Sequence, residues 1–222
     1  MHKGKLIVID GGDGAGKKTQ TKLLVERLIS EDVPVVTLDF PQYENNVFGA
    51  LLKECQNGER GDFLAVDSRV ASTLYAADRF ESKKIIEDWL ANGKIVVLDR
   101  YVSSNMLHQG GKIADPGERQ NFLNWLDKVE HEIFGIPRPD TIVYCSIDPE
   151  KRMELLKTEA EVTSIPTDAP ESSLEHQQQT DKAAEQIVAE MNNWKTVKCM
   201  NDGELRTPED IHEEIYKLIK ET

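Results

Sequence analysis

A glycine-rich loop followed by lysine carries the clearest chemical signal in the sequence. It reads GGDGAGK, fits the pattern G-x-x-x-x-G-K, and consists of Gly11, Gly12, Asp13, Gly14, Ala15, Gly16 and Lys17. Closely spaced glycines let backbone N–H groups curl around a polyphosphate without a clash at Cβ. A lysine at this position can follow the charge that moves onto phosphate oxygens during transfer. The loop therefore predicts nucleotide binding rather than a simple turn.

The residue after the loop lysine departs from this pattern. Serine or threonine normally stands there and holds Mg²⁺ through its hydroxyl. Here the position is Lys18, and Thr19 follows it. Because an ammonium cannot bind a cation, three explanations remain open. Other groups could hold the ion, Thr19 could replace the missing hydroxyl, or Lys18 could supply positive charge directly.

A second chemical signal is the pair Asp99-Arg100, which follows an apolar run at 95–98. A carboxylate at a strand end beside a phosphate-binding loop is suited to holding Mg²⁺ or its water. The planar guanidinium of Arg100 could bridge two phosphate groups. The pair could instead be a structural ion pair, but the glycine loop favours phosphoryl transfer.

Two further residues are ambiguous on sequence grounds. Arg79 lies in a predicted helix, where arginine usually snorkels or pairs at the surface, although it could also bind a ligand. Phe40 follows a predicted strand and could belong to the core or stack on a base.

The elements that position these residues alternate between strands and helices, which predicts a parallel sheet covered on both faces. Strands are predicted at 6–9, 33–38, 95–98, 141–147 and 197–200. Helices are predicted at 19–29, 48–55, 67–89, 103–109, 116–134, 149–158, 174–194 and 207–219. The predicted buried side of the long helix consists of Val70, Leu74, Ala77, Ile85, Ile86 and Trp89. Ligands of such sheets bind beyond the carboxyl ends of the strands, where both chemical signals fall.

Length and composition fit a single globular domain, 1–222, with an exposed flap at 158–173. The net charge is −13, which argues against a nucleic-acid or acidic membrane partner. Cys55, Cys145 and Cys199 lack metal-ligand spacing and are typical of reduced cytosolic thiols. The sequence has neither a secretory signal nor a long apolar run, so we expect a cytoplasmic protein.

The sequence resembles the thymidylate kinase family over nearly its whole length. The glycine loop, FPQY at 40–43, YAADR at 75–79 and DRYVSSNMLHQGG at 99–111 occur in the order and spacing of that family. SIDPEKR and NDGELRTPEDIHEEI extend the resemblance towards the end of the chain. It implies a P-loop kinase-type three-layer α/β/α sandwich with a five-stranded parallel sheet. It also implies transfer of the γ-phosphoryl group of ATP to dTMP with Mg²⁺, and a homodimer that packs through the long helix.

The resemblance further implies a role for each site residue. Asp13 would contact the acceptor sugar and the metal region, and Phe40 would stack on thymine beside a cis bond to Pro41. Tyr43 would lie near the acceptor phosphate, and Arg100 would reach both phosphates. The remaining acceptor residues would be Tyr75 and Arg79 against the thymine, Ser104 and Asn105 at the pyrimidine edge, His108 near the sugar, and Glu175 near the sugar or metal.

Together these expectations define three sets of residues. The catalytic set is Asp13, Lys17, Lys18 and Arg100. The ATP-binding set is Gly11, Gly12, Asp13, Gly14, Ala15, Gly16, Lys17, Lys18 and Thr19. The metal set is Asp13 and Asp99.

Three positions depart from the family pattern. Lys18 replaces the hydroxyl residue, and His108 stands where relatives have Tyr or Phe, which bears on the choice between deoxyribose and ribose. The flap lacks arginines and carries Glu159, Glu161, Asp168 and Glu171. We therefore hypothesise that Lys18 and Arg152 supply charge that the flap brings in relatives. The alternatives to a dTMP kinase are a kinase for another monophosphate such as dUMP, and a nucleotide-binding regulatory protein without catalysis.

Overall fold

Five parallel strands form the central sheet of the computed structural model, which describes residues 4–163 and 174–221. The strands are β1 (Lys5–Gly11), β2 (Val35–Asp39), β3 (Ile95–Asp99), β4 (Thr141–Ser146) and β5 (Trp194–Lys198). Their order across the sheet is β2-β3-β1-β4-β5. Because β1 is the middle strand, the glycine loop that follows it emerges from the centre of the sheet's carboxyl edge.

Helices cover both faces of this sheet. In the described ranges they are α1 (Lys17–Ser30), α2 (Val47–Gln56), α3 (Ser68–Ala91), α4 (Val102–Gly111), α5 (Pro116–Asp127), α6 (Pro149–Thr163), α7 (Leu174–Glu190) and α8 (Pro208–Lys220). Leu6 and Val8 of β1 pack into a core with α3, α4, α5 and α7. Ile7 and Ile9 pack into a second core with α1 and α8. This alternation along one strand confirms the predicted three-layer sandwich.

Helix α3 buries only part of the predicted side: Ile86 is fully buried and Trp89 packs against the core, as expected. Val70 and Ile85, which were expected in the core, are 56% and 46% exposed. The buried residues of α3 are Ser68, Ala71, Ser72, Ala76, Asp78, Arg79, Ser82 and Ile86. Most of them are small or polar, because the helix packs closely against α2 and α4, and its buried charges have partners: Asn46 for Asp78 and Glu130 for Arg79. Apolar periodicity alone therefore placed Ile86 and Trp89 correctly but misplaced Val70 and Ile85.

Some predicted boundaries also differ from the structure. The last strand begins at Trp194, which pairs in register with Ile142, so the helix expected to reach 194 ends at Glu190. A short hairpin of β6 (Met200–Asn201) and β7 (Glu204–Leu205) follows that strand. The helix predicted at 116–134 changes to a π-helical turn at Lys128–Ile133.

The predicted flap is described only at its start. Helix α6 continues through 158 to Thr163, and residues 164–173 lie outside the described residues.

The described helices include none that is long and apolar enough to cross a bilayer. The three cysteines are buried and form no disulfide.

Candidate active site

The glycine loop turns from β1 into α1 through left-handed backbone conformations. Gly14 and Gly16 have φ angles of 79° and 77°, which side chains other than hydrogen rarely allow. Gly16 is also the N-cap of α1, and it has no side chain to occupy the first N–H groups of the helix. Those N–H groups, with the positive end of the helix dipole, form a site suited to phosphate.

Lys17 folds back over this loop. Its side chain is 6% exposed, and Nζ donates a 2.8 Å hydrogen bond to the carbonyl oxygen of Gly12. Burial and the nearby charge of Arg100 lower the pKa of Lys17, against the opposite effect of three aspartates. Lys18 and Thr19 lie on the first turn of α1 and are exposed.

Asp13 joins the loop to the end of strand β3. Arg100 donates a hydrogen bond through Nη2 to Asp13 Oδ1, and Lys17 Nζ lies 3.8 Å from the same oxygen. Burial would raise the pKa of Asp13, but the charges of Arg100, His108 and Lys17 outweigh burial and hold it well below its usual value. Lys17 and Arg100 therefore lie on the same side of the sheet, as phosphoryl transfer requires.

Arg100 is placed by its backbone as well as by this contact. Its φ angle is 64°, a left-handed conformation that is uncommon outside glycine. Its N–H donates to the carbonyl oxygen of Ile9 at 3.1 Å, which ties the turn to β1. Its Nη1 lies 3.4 Å from His108 Nε2. The charge of Asp13 and other aspartates raises the pKa of Arg100 in spite of burial.

Asp10 links β1 to α4, a role that the sequence analysis did not assign. The side chain is fully buried and accepts hydrogen bonds from the hydroxyls of Ser103 and Ser104, the latter at 2.9 Å, and from the N–H of Gly11 at 2.8 Å. Its position directly before the glycine loop is the signal by which it could have been found. Because the Ser104 proton is used here, Ser104 Oγ can offer a ligand only a hydrogen-bond acceptor.

A cleft beside Arg100 brings together the residues expected at the acceptor site. It is lined by Asp13, Phe40, Tyr43, Tyr75, Arg79, Arg100, Ser104, Asn105 and His108, among others. Of the predicted acceptor residues only Glu175 is not placed, because its side chain lies outside the described residues.

Aromatic side chains form one wall of this cleft. Phe40 is 4% exposed, packs 5.8 Å from the ring of Tyr101, and has the expected cis bond to Pro41. It is therefore a core residue that also lines the cleft. Gln56 accepts a 2.5 Å hydrogen bond from Tyr43 and donates a 3.1 Å hydrogen bond to Tyr75, which fixes both phenol groups.

Arg79 neither snorkels nor pairs at the surface, contrary to the usual behaviour of a helix arginine. It is 2% exposed and forms a bidentate ion pair with Glu130, which is fully buried. The Nε–Oε2 distance is 2.7 Å and the Nη2–Oε1 distance is 2.5 Å. No local sequence pattern pointed to Glu130, because its partner lies 51 residues away.

Arg152 packs directly against the glycine loop. A Cβ built on Gly12 would lie 1.6 Å from Arg152 Nη1, so a side chain at this position would force the guanidinium to move. Arg152 is fully buried, and its two Nη atoms donate to the carboxylate of Asp181 at 2.8 and 3.0 Å. A positive charge therefore lies beneath the loop, partly neutralised by a carboxylate of α7.

Asp99 has the properties of a ligand for Mg²⁺. Its Oδ1 is buried without a hydrogen-bond partner among the described residues, and burial raises its pKa despite the nearby charges of Lys17 and Arg100. Residues 4–163 and 174–221 contain no cluster of three or more His, Cys, Asp or Glu side chains that could hold a metal ion by themselves. One carboxylate completed by substrate phosphates fits Mg²⁺, which commonly binds in this way.

Comparison with known proteins identifies the family. The family model described as thymidylate kinase matches residues 9–215. The chain is 32% identical to the thymidylate kinase of Mycobacterium tuberculosis over 145 residues, which cover 65% of this chain and 67% of that protein. It is 29% identical to a probable thymidylate kinase of Pyrococcus horikoshii over 220 residues, which cover 98% and 97%.

A solved structure of thymidylate kinase from Candida albicans has the same fold. It superposes with a TM-score of 0.76 at 20% identity and covers 99% of this chain and 92% of that one. The family match over nearly the whole chain and the glycine-loop geometry agree. The chain therefore belongs to the thymidylate kinase family of nucleoside monophosphate kinases.

Proposed function

We propose that this protein transfers the γ-phosphoryl group of ATP to dTMP and so forms dTDP. The observation that carries the proposal is the hydrogen bond between Arg100 and Asp13. It joins the phosphate-binding loop to the acceptor cleft, so that a donor and an acceptor nucleotide would meet between them. Membership of the thymidylate kinase family supports the same reaction.

The chemistry requires alignment and charge stabilisation more than covalent work by the protein. Lys17 at the loop and Arg100 at the cleft supply positive charge on the two sides of the transferred group. Asp13 orients both cations through one carboxylate oxygen. Because the acceptor phosphate is already an anion, the reaction needs no strong general base.

The Mg²⁺ site is assigned to Asp99, because Asp13, the other candidate, is already engaged by two cations. A bound Mg²⁺ supplies positive charge to the phosphate oxygens of ATP. Lys18 and Thr19 are exposed at the start of α1, next to the phosphate-binding N–H groups. Of these two, Lys18 is proposed to add charge directly.

The acceptor base is proposed to lie against Phe40, with its polar edge towards Arg79 and Asn105. All three residues line the cleft, and Arg79 can donate to a base carbonyl oxygen. Tyr43 and His108 line the same cleft and are proposed to face the phosphate and the sugar.

The direct test is an assay with MgATP and a panel of nucleoside monophosphates, with products separated by chromatography. We expect dTDP to form and kcat/KM to be highest for dTMP. Absence of dTDP, or preference for dUMP or another monophosphate, would reject the proposed substrate. Nucleotide binding without any turnover would indicate the regulatory alternative.

The assembly and location of the protein are further proposals. Exposed apolar side chains on α2 and α3, including Val47, Val70 and Ile85, support a homodimer packed through this face. Buried cysteines without disulfides support a cytoplasmic location. The chain is proposed to act as one domain, 1–222.

A further inference from the structure

We infer that Glu130 is a positioning residue that sets the base specificity of the acceptor cleft. It holds Asn105 so that this side chain offers a hydrogen-bond acceptor to the base, and it holds Arg79 so that this side chain offers donors. The inference rests on the proposed function, because it assigns a specificity determinant within the same cleft.

Glu130 acts from behind the cleft wall. It belongs to the π-helical turn Lys128–Ile133, is fully buried, and does not itself line the cleft, whereas its partners Arg79 and Asn105 do. Its backbone carbonyl accepts a 2.9 Å hydrogen bond from the N–H of Ile136, which fixes the end of the turn. Turns of this type inside helices frequently occur at functional sites.

The contacts of Asn105 decide which end of its amide faces the cleft. Its Nδ2 donates to the carbonyl oxygen of Ser72 at 3.2 Å and to Glu130 Oε1 at 3.0 Å. Both neighbours are acceptors, so an oxygen in this position would be repelled by both, and the amide orientation is determined. Both amide protons are used, and none of the described residues donates to Oδ1. The group that Asn105 can offer to a ligand is therefore an acceptor.

The contacts of Arg79 have the opposite consequence. Its Nε and Nη2 donate to Glu130, and its Nη1 donates to the carbonyl oxygen of Tyr101 at 3.3 Å. A guanidinium has five N–H donors, so these contacts leave one hydrogen on each Nη atom. Arg79 can therefore offer donors to the base beside the acceptor of Asn105.

This order of acceptor and donors matches one class of pyrimidine. Thymine and uracil present a donor at N3 and an acceptor at O4, whereas cytosine presents an acceptor at N3 and an amino group at C4. A cytosine would thus face like groups at both positions. A site that leaves buried polar groups unpaired with the wrong substrate can discriminate by about 10⁴-fold. The class of ligand selected by this pair is a pyrimidine-2,4-dione nucleotide.

Glu130 needs both its negative charge and its side-chain length to hold Arg79 and Asn105 in place. Arg79 is buried, and removal of the partner of a buried charge is strongly unfavourable. In Glu130→Gln the new amide can donate to Asn105, so one of the two acceptors that fix its orientation is lost. Asn105 can then turn and offer its own NH₂ group to the base against the repulsion of the Ser72 carbonyl alone. In Glu130→Asp the charge remains, but the shorter side chain cannot reach both partners.

The test compares these two variants with wild type and with Glu132→Gln, the same chemical change at an exposed residue of the same turn. Steady-state kinetics are measured for dTMP, dCMP and ATP. We expect the KM for dTMP to rise at least about tenfold in both Glu130 variants, with kcat within about threefold and the KM for ATP unchanged. We also expect the ratio of kcat/KM for dTMP to that for dCMP to fall at least about tenfold in Glu130→Gln. Glu132→Gln should match wild type.

The outcomes separate this inference from the proposed function. If wild type binds no dTMP in calorimetry and forms no dTDP, the proposed function fails and the inference fails with it. If wild type is active but the Glu130 variants keep its KM for dTMP and its base preference, the inference alone is wrong. Equal rises in the KM for ATP and in the KM for dTMP, without a change in base preference, would show that Glu130 has a purely structural role. That result would also overturn the inference.

A measurement on wild type keeps the inference testable even if the variants do not fold. In ¹⁵N-labelled protein, the side-chain NH₂ protons of Asn105 should be protected from solvent exchange before dTMP is added. Rapid exchange of both protons would contradict the hydrogen bonds to Ser72 and Glu130, and the assigned orientation with them.

Discussion

Arg100 donates a hydrogen bond to Asp13, and this contact joins residues that are 87 positions apart in the chain. Lys17 lies 3.8 Å from the same carboxylate oxygen, so one buried anion holds two cations in the space where phosphates are proposed to meet. Without that anion the two cations would repel each other at short range in a poorly solvated site. Asp13 is therefore both a structural and an electrostatic centre of the site.

The first prediction concerns acid stability. The folded-state pKa of Asp13 lies well below the ordinary 3.8, so its ion pair stabilises the protein above about pH 4 and less as pH falls towards the lower folded value. We expect Asp13→Asn to lower the free energy of unfolding by about 2 kcal/mol at pH 7. This difference from wild type should shrink below pH 4.

Urea unfolding of wild type and Asp13→Asn from pH 7 to pH 3 measures this difference. Asp32→Asn is the control, because Asp32 is exposed and its left-handed φ of 58° suits asparagine. A wild-type advantage over Asp13→Asn that stays constant down to pH 3 would contradict the low pKa.

The second prediction concerns the contact between Gly12 and Arg152. A methyl group on Gly12 would collide with a fully buried guanidinium, so Gly12→Ala should lower the free energy of unfolding by about 1–3 kcal/mol and raise the KM for ATP. In the double variant with Arg152→Ala the clash is gone. The combined loss should therefore be smaller than the sum of the two single losses.

Gly110→Ala is the control for Gly12→Ala, because the atoms nearest to its added methyl group lie at 3.7 Å or more. Additive losses in the double variant would show that Arg152 is not what excludes a side chain at Gly12.

The third prediction tests the hypothesis that Lys18 supplies catalytic charge. We expect Lys18→Ala to lower kcat at least about tenfold with little change in the KM for dTMP, because the charge acts on the transferred phosphoryl group. Lys22→Ala is the control, since Lys22 is also exposed on α1 and pairs with Glu26 at 3.8 Å. Full kcat in Lys18→Ala would disprove the hypothesis.

The fourth prediction concerns Mg²⁺. Asp99 and Asp39 end neighbouring strands and stand opposite each other in register, but Asp99 Oδ1 is buried without a described partner whereas Asp39 is exposed. We expect Asp99→Asn to raise the Mg²⁺ concentration for half-maximal activity at least about tenfold. Asp39→Asn should change it much less, and equal effects would argue against the assignment.

The fifth prediction concerns the proposed homodimer. Val70 is 56% exposed on α3, so Val70→Glu would place a charge in the proposed interface. We expect this variant to sediment as a monomer in analytical ultracentrifugation. Leu205→Glu, at a residue 40% exposed on the distant hairpin, should not. A monomeric wild type, or a Val70→Glu variant that remains dimeric, would reject this interface.

The sequence predicted the sheet and the glycine loop because both have local signals. The apolar run of β1, the glycines after it and the lysine at the start of α1 are adjacent in the chain, and their geometry follows from residue type. The start of β5 was harder to place, because Trp194 is an apolar residue that suits a helix as well as a strand. Its pairing with Ile142 decides between them, and pairing depends on a distant segment.

Much of the site was also within reach of the sequence, since the family motifs carry most of the residues that line the cleft. The supporting residues were not. Glu130 lies among polar residues in a segment that predicts an ordinary helix, and its burial follows from tertiary contact with Arg79. Asp78 is similar, because a buried carboxylate that accepts from the N–H of Gln42 at 3.1 Å has no local signature.

The central place of β1 has a consequence for motion during turnover. It is paired with β3 as far as Ile9 and Asp99, and with β4 as far as Gly11 and Cys145. A strand paired along both edges as far as Ile9, and along one edge to its last residue, offers no hinge, so the phosphate-binding loop should stay stationary while substrates bind and leave. Conformational changes during the catalytic cycle would then be confined to elements outside the sheet, which would move relative to a stationary phosphate-binding loop.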